Sequence, residues 1–556
     1  MSTLTNSSQQ RERTFGRGFR WDYFLEDNLT GSWLQTVGVT ALAIVTGWYT
    51  YAQYKAHPTA TKVILAAWVV GLVMVIWGEL AHRHNRVSRW LHDNLFSSIA
   101  NSLLTLLLTL VLAAAAQGFW QWGVVNASFD PDKTAPEFRP ENGATWGVIW
   151  GARKLLMTGT LEPKYHWRVW LSLWYLVGMW LVTYVTGRPK IKEKVRPLRL
   201  VVNALWLLSP IILYIFLAGV PDKPFSVKTA AIGAGILLVA YAILWWQKVV
   251  SFSWQSVLGT AVVWPVAYAV WWQIGKTGVF EPINVDTWGG LLLTLIIASA
   301  VIVLSLPLGI LLALGRRSQV FGIPRWILWP GAIGVTLWGL VTSTPGLLET
   351  SRNTFEKVTS FWPLIILGLA YLLDRMFQGN LVAGASTAFI ELIRSVPLIT
   401  LLFMGINMAP FFLKAGTDVA KPWPVIVGYT LFASAYMAET VRGGLQAIPK
   451  GQYEAADALG FNAMQKMRFI IMPQALRIVI PAIVGQFIGA YKSSSLVAIV
   501  GLFDFMGINR VIASNPQWLG LRIELYLFIG FVYFIGSYMM SSYSRRLEKR
   551  LGVGER

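Results

Sequence analysis

Few side chains in this sequence are equipped for chemistry, and most of those stand beside long apolar runs. Glu439 and Arg442 are three apart, on one face of a helix, where an intrahelical ion pair is the expected use. Lys492-Ser493-Ser494-Ser495, preceded by Gln486 and Tyr491, offers an ammonium group and three hydroxyls. That set can bind a carboxylate or line a gate. It can equally cap a helix end beneath a snorkelling lysine, and the residues alone leave both uses open. The histidines are His57, His82, His84, His92 and His166, and there is no cysteine. Thiolate nucleophiles, disulfides and Cys-based zinc or iron–sulfur sites are therefore excluded. No carboxylate cluster accompanies His82 and His84, so no metal site is expected. Gly275-Lys276-Thr277 looks like the end of a phosphate-binding loop, but Val270 stands where that motif needs its first glycine. No catalytic constellation remains, and the chain is not expected to hydrolyse ATP by itself.

One polar loop is more informative, GGLQAIPKGQYEAADALGFNAMQKMRFIIMPQALR at 443–477. Pro449 and Gly451 break the chain before it. A helix is predicted over 452–459, with Gln452 and Tyr453 at its start and Glu454 in its first turn, where a carboxylate complements the helix dipole. Ala455, Ala456 and Ala458 leave it little bulk beside Asp457, and Gly460 permits the turn that follows. A short alanine-rich helix between breakers suits docking into a partner's groove, or it is an ordinary interfacial helix.

The elements that position these residues follow from composition. Of 556 residues 55% are hydrophobic and 13% charged, with mean hydropathy +0.52. A soluble domain carries about a quarter charged residues, so a soluble globular chain is excluded. Apolar runs recur at about 34–54, 62–80, 99–120, 167–187, 198–218, 229–247, 255–275, 287–314, 325–345, 361–377, 388–412, 424–441, 472–491 and 521–542. Each is long enough to cross a bilayer as a helix, which satisfies its own backbone in lipid. The fold class predicted is an all-α integral membrane protein with about fourteen transmembrane helices. Basic segments such as HRHNRVSRW (82–90), GRPKIKEKVRPLR (187–199), GRRS (315–318) and SRRLEKR (544–550) fall on one side under this topology. By the positive-inside tendency that side is cytoplasmic, with both termini, so the net charge of +20 needs no nucleic acid to explain it. Residues 1–33 read as a cytoplasmic tail, and 121–166 as an exterior excursion that either meets an outside partner or is a solvated linker. Pro307 and Pro397 read as kinks within spans.

The spacing in the 443–477 loop resembles a known pattern. Glu454-Ala455-Ala456, then Gly460, Ile470 and Met472-Pro473 reproduce the EAA signature of bacterial ABC import permeases, with Met472 where leucine is usual. LLTLIIASAVIVLSLPLGILLALGRRS (291–318), FIELIRSVPLITLLF (389–403), AYMAETVRGGLQAIPKGQYEAADALG (435–460) and PQALRIVIP (473–481) are similar to the polar amino-acid branch of that family. NLFSSIANSLLTLLL (94–108) and SLVAIVGLFDFMG (495–507) are similar to its general L-amino-acid permease subunits. The resemblance implies a type I ABC importer permease core over 285–545, with the EAA coupling loop at 443–472 and a two-helix insertion at about 319–385. The remaining parts are additional spans over 34–284 and a tail at 546–556. Gln452, Tyr453, Glu454, Ala455, Ala456, Asp457, Gly460 and Pro473 would couple to the ATPase. Gln486, Lys492, Ser493, Ser494 and Ser495 would border the substrate pathway. Relatives usually carry Asp-Thr where this chain has Ser493-Ser494. Implied partners are a second homologous permease, two ATPase subunits that bind ATP and Mg, and a periplasmic amino-acid-binding protein. The implied setting is the bacterial inner membrane with its lipid, and the substrate an amino acid. A secondary amino-acid transporter or a membrane scaffold without ATPase coupling is the alternative.

Overall fold

The computed structural model describes residues 33–81, 85–187, 196–220, 226–246, 253–318, 322–351, 353–412 and 419–552. The basic N-terminal tail, His82, His84, most of the 187–199 loop and the last four residues lie outside these. Helices occupy all fourteen apolar runs. In chain order the elements used below are α1 (Trp33–Ala56), α2 (Pro58–Leu80), α3 (Arg86–Asn94), α4 (Ile99–Trp120), α5 (His166–Thr186), α6 (Arg196–Ala218), α7 (Val227–Trp246) and α8 (Trp254–Lys276). They continue with α9 (Gly290–Arg316), α10 (Arg325–Thr342), α11 (Leu364–Phe377), α12 (Leu381–Ser395), α13 (Leu398–Met408), α14 (Pro422–Gln446), α15 (Lys450–Ala458), α16 (Met472–Ser493) and α17 (Arg522–Leu551).

Among the described residues eight helices are long and apolar enough to cross a membrane, or nine if one bent pair is a single span. The fourteen runs are thus all helical, while the full-length crossings counted this way are fewer. The bent pair is α12 and α13, which meet at 106° where the sequence suggested a single kinked run. Pro397 cannot donate a backbone hydrogen bond, and it forces Val396 out of helical geometry (φ −103°, ψ 134°). Pro307, by contrast, lies within an unbroken α9.

The chain divides into two compact units. The first holds residues 1–133 and 137–146, with α1 to α4. Trp68 on α2 donates from Nε1 to the Ser102 carbonyl of α4 at 2.9 Å. Past α4 the chain folds back on itself: Ser128 N donates to the Ala144 carbonyl and Ala144 N to the Trp122 carbonyl, both at 2.8 Å, while Trp146 Nε1 reaches the Gly123 carbonyl at 2.6 Å. These bonds fold the two ends of residues 122–146 against each other.

The second unit comprises 134–136 and 147–556. Two short helices open it, Gly147–Gly151 and Arg153–Thr158, and bury Val148, Ala152 and Leu156 among Phe505, Ile508, Ile512 and Leu525. Arg168 at the start of α5 is 2% exposed. Its Nη1 donates to the Glu281 carbonyl at 2.8 Å and its Nη2 to the Val279 carbonyl at 3.1 Å. Tyr165 and Phe280 flank the guanidinium at 5.0 and 5.6 Å, so the segment before α9 is clamped by a desolvated cation. The centre of the unit is α14 packed between α9 and α16. Glycines bring these helices together: a Cβ on Gly309 would lie 2.6 Å from Met437, and one on Gly444 2.6 Å from the Ala475 carbonyl.

Candidate functional site

The loop after α14 is built by local rules. Pro449 takes the N-cap position in extended geometry, and α15 runs from Lys450, two residues earlier than the sequence suggested. Glu454 is therefore in the second turn and not the first, which removes the dipole argument made for it. The helix ends at Ala458 in a complete Schellman motif. Phe461 N donates to the Ala456 carbonyl at 3.2 Å and Gly460 N to the Asp457 carbonyl at 2.9 Å. Gly460 sits at φ +73°, the left-handed conformation that such an end requires. Asn462 then starts the next turn through a reciprocal capping box with Gln465, at 2.8 and 3.1 Å.

One side of α15 faces its own chain. Ala456 is 1% exposed, and the Tyr453 ring packs on the core of Met437, Val441, Leu445 and Ile471. The Tyr453 hydroxyl donates to the Leu445 carbonyl at 3.2 Å and accepts from Arg317 Nη1 at 3.4 Å. Gln452 accepts from Gln474 Nε2 at 3.2 Å, and Asp457 pairs with Lys466. The other side is open: Glu454, Ala455, Leu459 and Gly460 are exposed, Leu459 by 73%, as is Pro473 at the start of α16. A Cβ on Gly460 would meet nothing within 4 Å. This is a small-residue surface with an apolar tip, held rigidly from behind.

Behind the loop lies a charge cluster of which the sequence revealed one pair. Arg442 donates to Glu439 Oε2 from Nε at 2.9 Å and from Nη2 at 2.6 Å, as the three-residue spacing predicted. The second carboxylate oxygen accepts from Arg316 Nη1 of α9 at 2.6 Å, and Arg394 Nη1 of α12 stands 3.8 Å from Oε2. Arg316 also lies 3.1 Å from Glu391. Glu439 is thus a three-arginine hub joining the ends of α9, α12 and α14, with its side chain only 16% exposed. Arg316 immediately precedes Arg317, which holds Tyr453, so hub and loop are adjacent in the chain.

The other expected site residues lie elsewhere along α16. Gln486 donates to Thr440 Oγ1 at 2.6 Å and to the Tyr436 carbonyl at 3.2 Å, which ties α16 to α14. Ser493 ends α16, the buried Ser494 hydroxyl donates to the Tyr491 carbonyl at 2.7 Å, and Ser495 donates to the Lys492 carbonyl at 2.8 Å. Two of the hydroxyls are therefore occupied as helix-end caps, while the Lys492 side chain is exposed. Close by in sequence is a carboxylate not anticipated as a site residue. Asp504 is fully buried and accepts from Gly507 N at 2.8 Å, Met506 N at 3.2 Å, Tyr533 at 3.3 Å and Thr294 at 3.4 Å. It joins α9, the 494–507 segment and α17, and its Asp-x-x-Gly spacing carried a turn signal.

Comparison with known proteins bears on this arrangement. The profile of the family described as binding-protein-dependent transport system inner membrane component matches residues 365–553, which include α15 and the hub residue Glu439. A glutamate/glutamine/aspartate/asparagine transport system permease protein, BztC of Rhodobacter capsulatus, is 33% identical over 83% of this chain and 93% of its own. The chain belongs to this permease family. A second relative of the permease, the inner membrane amino-acid ABC transporter permease protein YhdY of Escherichia coli K12, is 31% identical over 85% of the chain and 95% of its own length. A shorter one, the glutamate/aspartate import permease protein GltK of Escherichia coli, matches over 96% of its own length but only 38% of this chain. Much of the permease therefore lies outside what the short relative possesses.

Proposed function

We propose that the chain is the membrane-spanning, non-catalytic subunit of an ATP-driven amino-acid importer of the inner membrane. The observation that carries this reading is the 450–462 loop: a short alanine-rich helix, fixed from behind by Tyr453 and ended by Gly460, with its outer face bare. That face suits insertion into the groove of an ATPase subunit on the cytoplasmic side. The nucleotide and its magnesium are held by that partner. A second homologous permease completes the pathway, and a periplasmic binding protein delivers substrate to the opposite face. The basic loops keep both termini cytoplasmic. The core occupies 285–545, with 34–284 and 319–385 as additions around it. Polar L-amino acids are the substrate class; glutamate, glutamine, aspartate and asparagine stand in the names of the relatives. Transport proceeds by alternating access, with closure of the ATPase dimer moving α15 and, through Tyr453, the helix ends behind it.

Purification of the tagged chain should bring down an ATPase, and vesicles holding the complex should take up amino acid only with ATP inside and binding protein outside. Uptake that persists without the ATPase, driven by an ion gradient, would replace this reading with a secondary transporter.

A further inference from the structure

We propose that α3 is a membrane-surface helix that binds anionic phospholipid headgroups through Arg86 and Arg89. Its place follows from its neighbours, since it joins α2 to α4 and both are long and apolar enough to cross a membrane. A nine-residue helix between two such spans stays at the membrane face. Asn85 caps it by accepting from Ser88 N at 2.7 Å.

The faces of α3 are sharply divided. With about 100° between successive residues, Ser88 and His92 share one side. Ser88 is 3% exposed, and His92 Nε2 lies 3.7 Å from Glu79 of α2, so that side is the one docked on the protein. Val87 and Trp90 occupy the far side, each 57% exposed. Arg86 and Arg89 are exposed on the adjoining arc, to one side of Trp90 with Asp93 between them, and neither makes an ion pair within 4 Å among the described residues. Asp93, the nearby carboxylate on the same helix, accepts instead from His92 Nδ1 at 2.9 Å.

An exposed tryptophan and valine beside two exposed guanidiniums and a single carboxylate match the interface, where an apolar stripe enters the acyl boundary and cations stand at phosphate level. Guanidinium pairs with phosphate through two parallel hydrogen bonds, so the headgroup is the natural anion. Each arginine near an anionic surface favours binding by about fivefold over a neutral one, so removing two should cost on the order of twentyfold or more in lipid retention.

The chain lacks cysteine, so Asn94→Cys creates a unique labelling site beside the apolar arc. The full-length variant carrying a bimane label is reconstituted in phosphatidylcholine vesicles, with and without phosphatidylglycerol. Brominated acyl chains should quench the label, more strongly when phosphatidylglycerol is present. Adding R86Q and R89Q should abolish that increment, and R86K with R89K should retain most of it. Phosphatidylglycerol co-purifying with detergent-extracted protein should fall in the same order. Quenching by aqueous iodide alone, or an increment unchanged by the glutamine pair, would overturn the proposal. Both readouts are independent of transport, so they stand whether or not the importer reading does.

Discussion

Replacing Gly460 separates backbone geometry from surface shape at the one position where the coupling reading makes distinct demands on each. The residue sits at φ +73°, and the space a Cβ would enter is empty within this chain. Alanine there costs only the left-handed backbone penalty, roughly 1–2 kcal/mol. Against folding stabilities of about 5–15 kcal/mol that leaves the protein folded. It instead weakens the two Schellman hydrogen bonds and repopulates the loop by a factor of about 5–30. Asparagine tolerates the same geometry and should cost less. Tryptophan adds bulk to an exposed surface that meets nothing in this chain but would meet the ATPase. The assay is the ratio of ATP hydrolysed to amino acid taken up by the reconstituted importer. Expected order of coupling is glycine, then asparagine, alanine and tryptophan, with fold unchanged by circular dichroism. Normal coupling in Gly460→Trp would refute the docking surface. Equal losses in the asparagine and alanine variants would refute the backbone argument while sparing the surface.

Glu439→Gln removes the charge that three arginines share; hydrogen bonds to charged groups contribute about 1.5–3 kcal/mol each, so the thermal midpoint of detergent-purified protein should fall by several degrees, with Glu439→Asp recovering part of it. An unchanged midpoint would mean the cluster adds nothing to stability. Arg168→Met preserves bulk but removes both donors to the Glu281 and Val279 carbonyls, and limited proteolysis within 277–289 should speed up while cleavage elsewhere does not. Lys492→Ala should impair uptake of acidic substrates more than of basic ones, with ATPase co-purification intact; equal loss would leave this exposed lysine as an anchor.

What the sequence discloses depends on how far the relevant partners are separated along it. Apolar runs specify helices from within, which is why helices stand at all fourteen. Pro449 and Gly460 likewise mark the ends of α15 locally, although proline at the N-cap placed the start at Lys450, before Gln452. The hub around Glu439 is different. Arg442 is three residues away and could be anticipated, whereas Arg316 comes from 123 residues upstream, a pairing no local pattern announces. Arg168 and Glu281, 113 residues apart, are hidden for the same reason. Gln486 looked like a pathway residue because a polar group in an apolar span invites that reading. Its Nε2 donates to Thr440 and Tyr436 of α14, a role that the sequence pattern did not announce. Lys492 to Ser495 could be read either way, and the positions of the Ser494 and Ser495 hydroxyls favour capping for those two residues.

The glycine contacts on either side of α14 bear on how the core can move. At Gly309 the Met437 side chain of α14 fills the space where a Cβ would stand, whereas at Gly444 the Ala475 carbonyl of α16 approaches with less clearance than a methyl group. Interdigitated side chains must change rotamer before one helix can pass another, and that raises a barrier. The main-chain approach at Gly444 lets α14 and α16 slip along one another by shear, with packing kept throughout. Displacement of α14 is thereby easier against α16 than against α9, and an alanine at Gly444 would act as a brake.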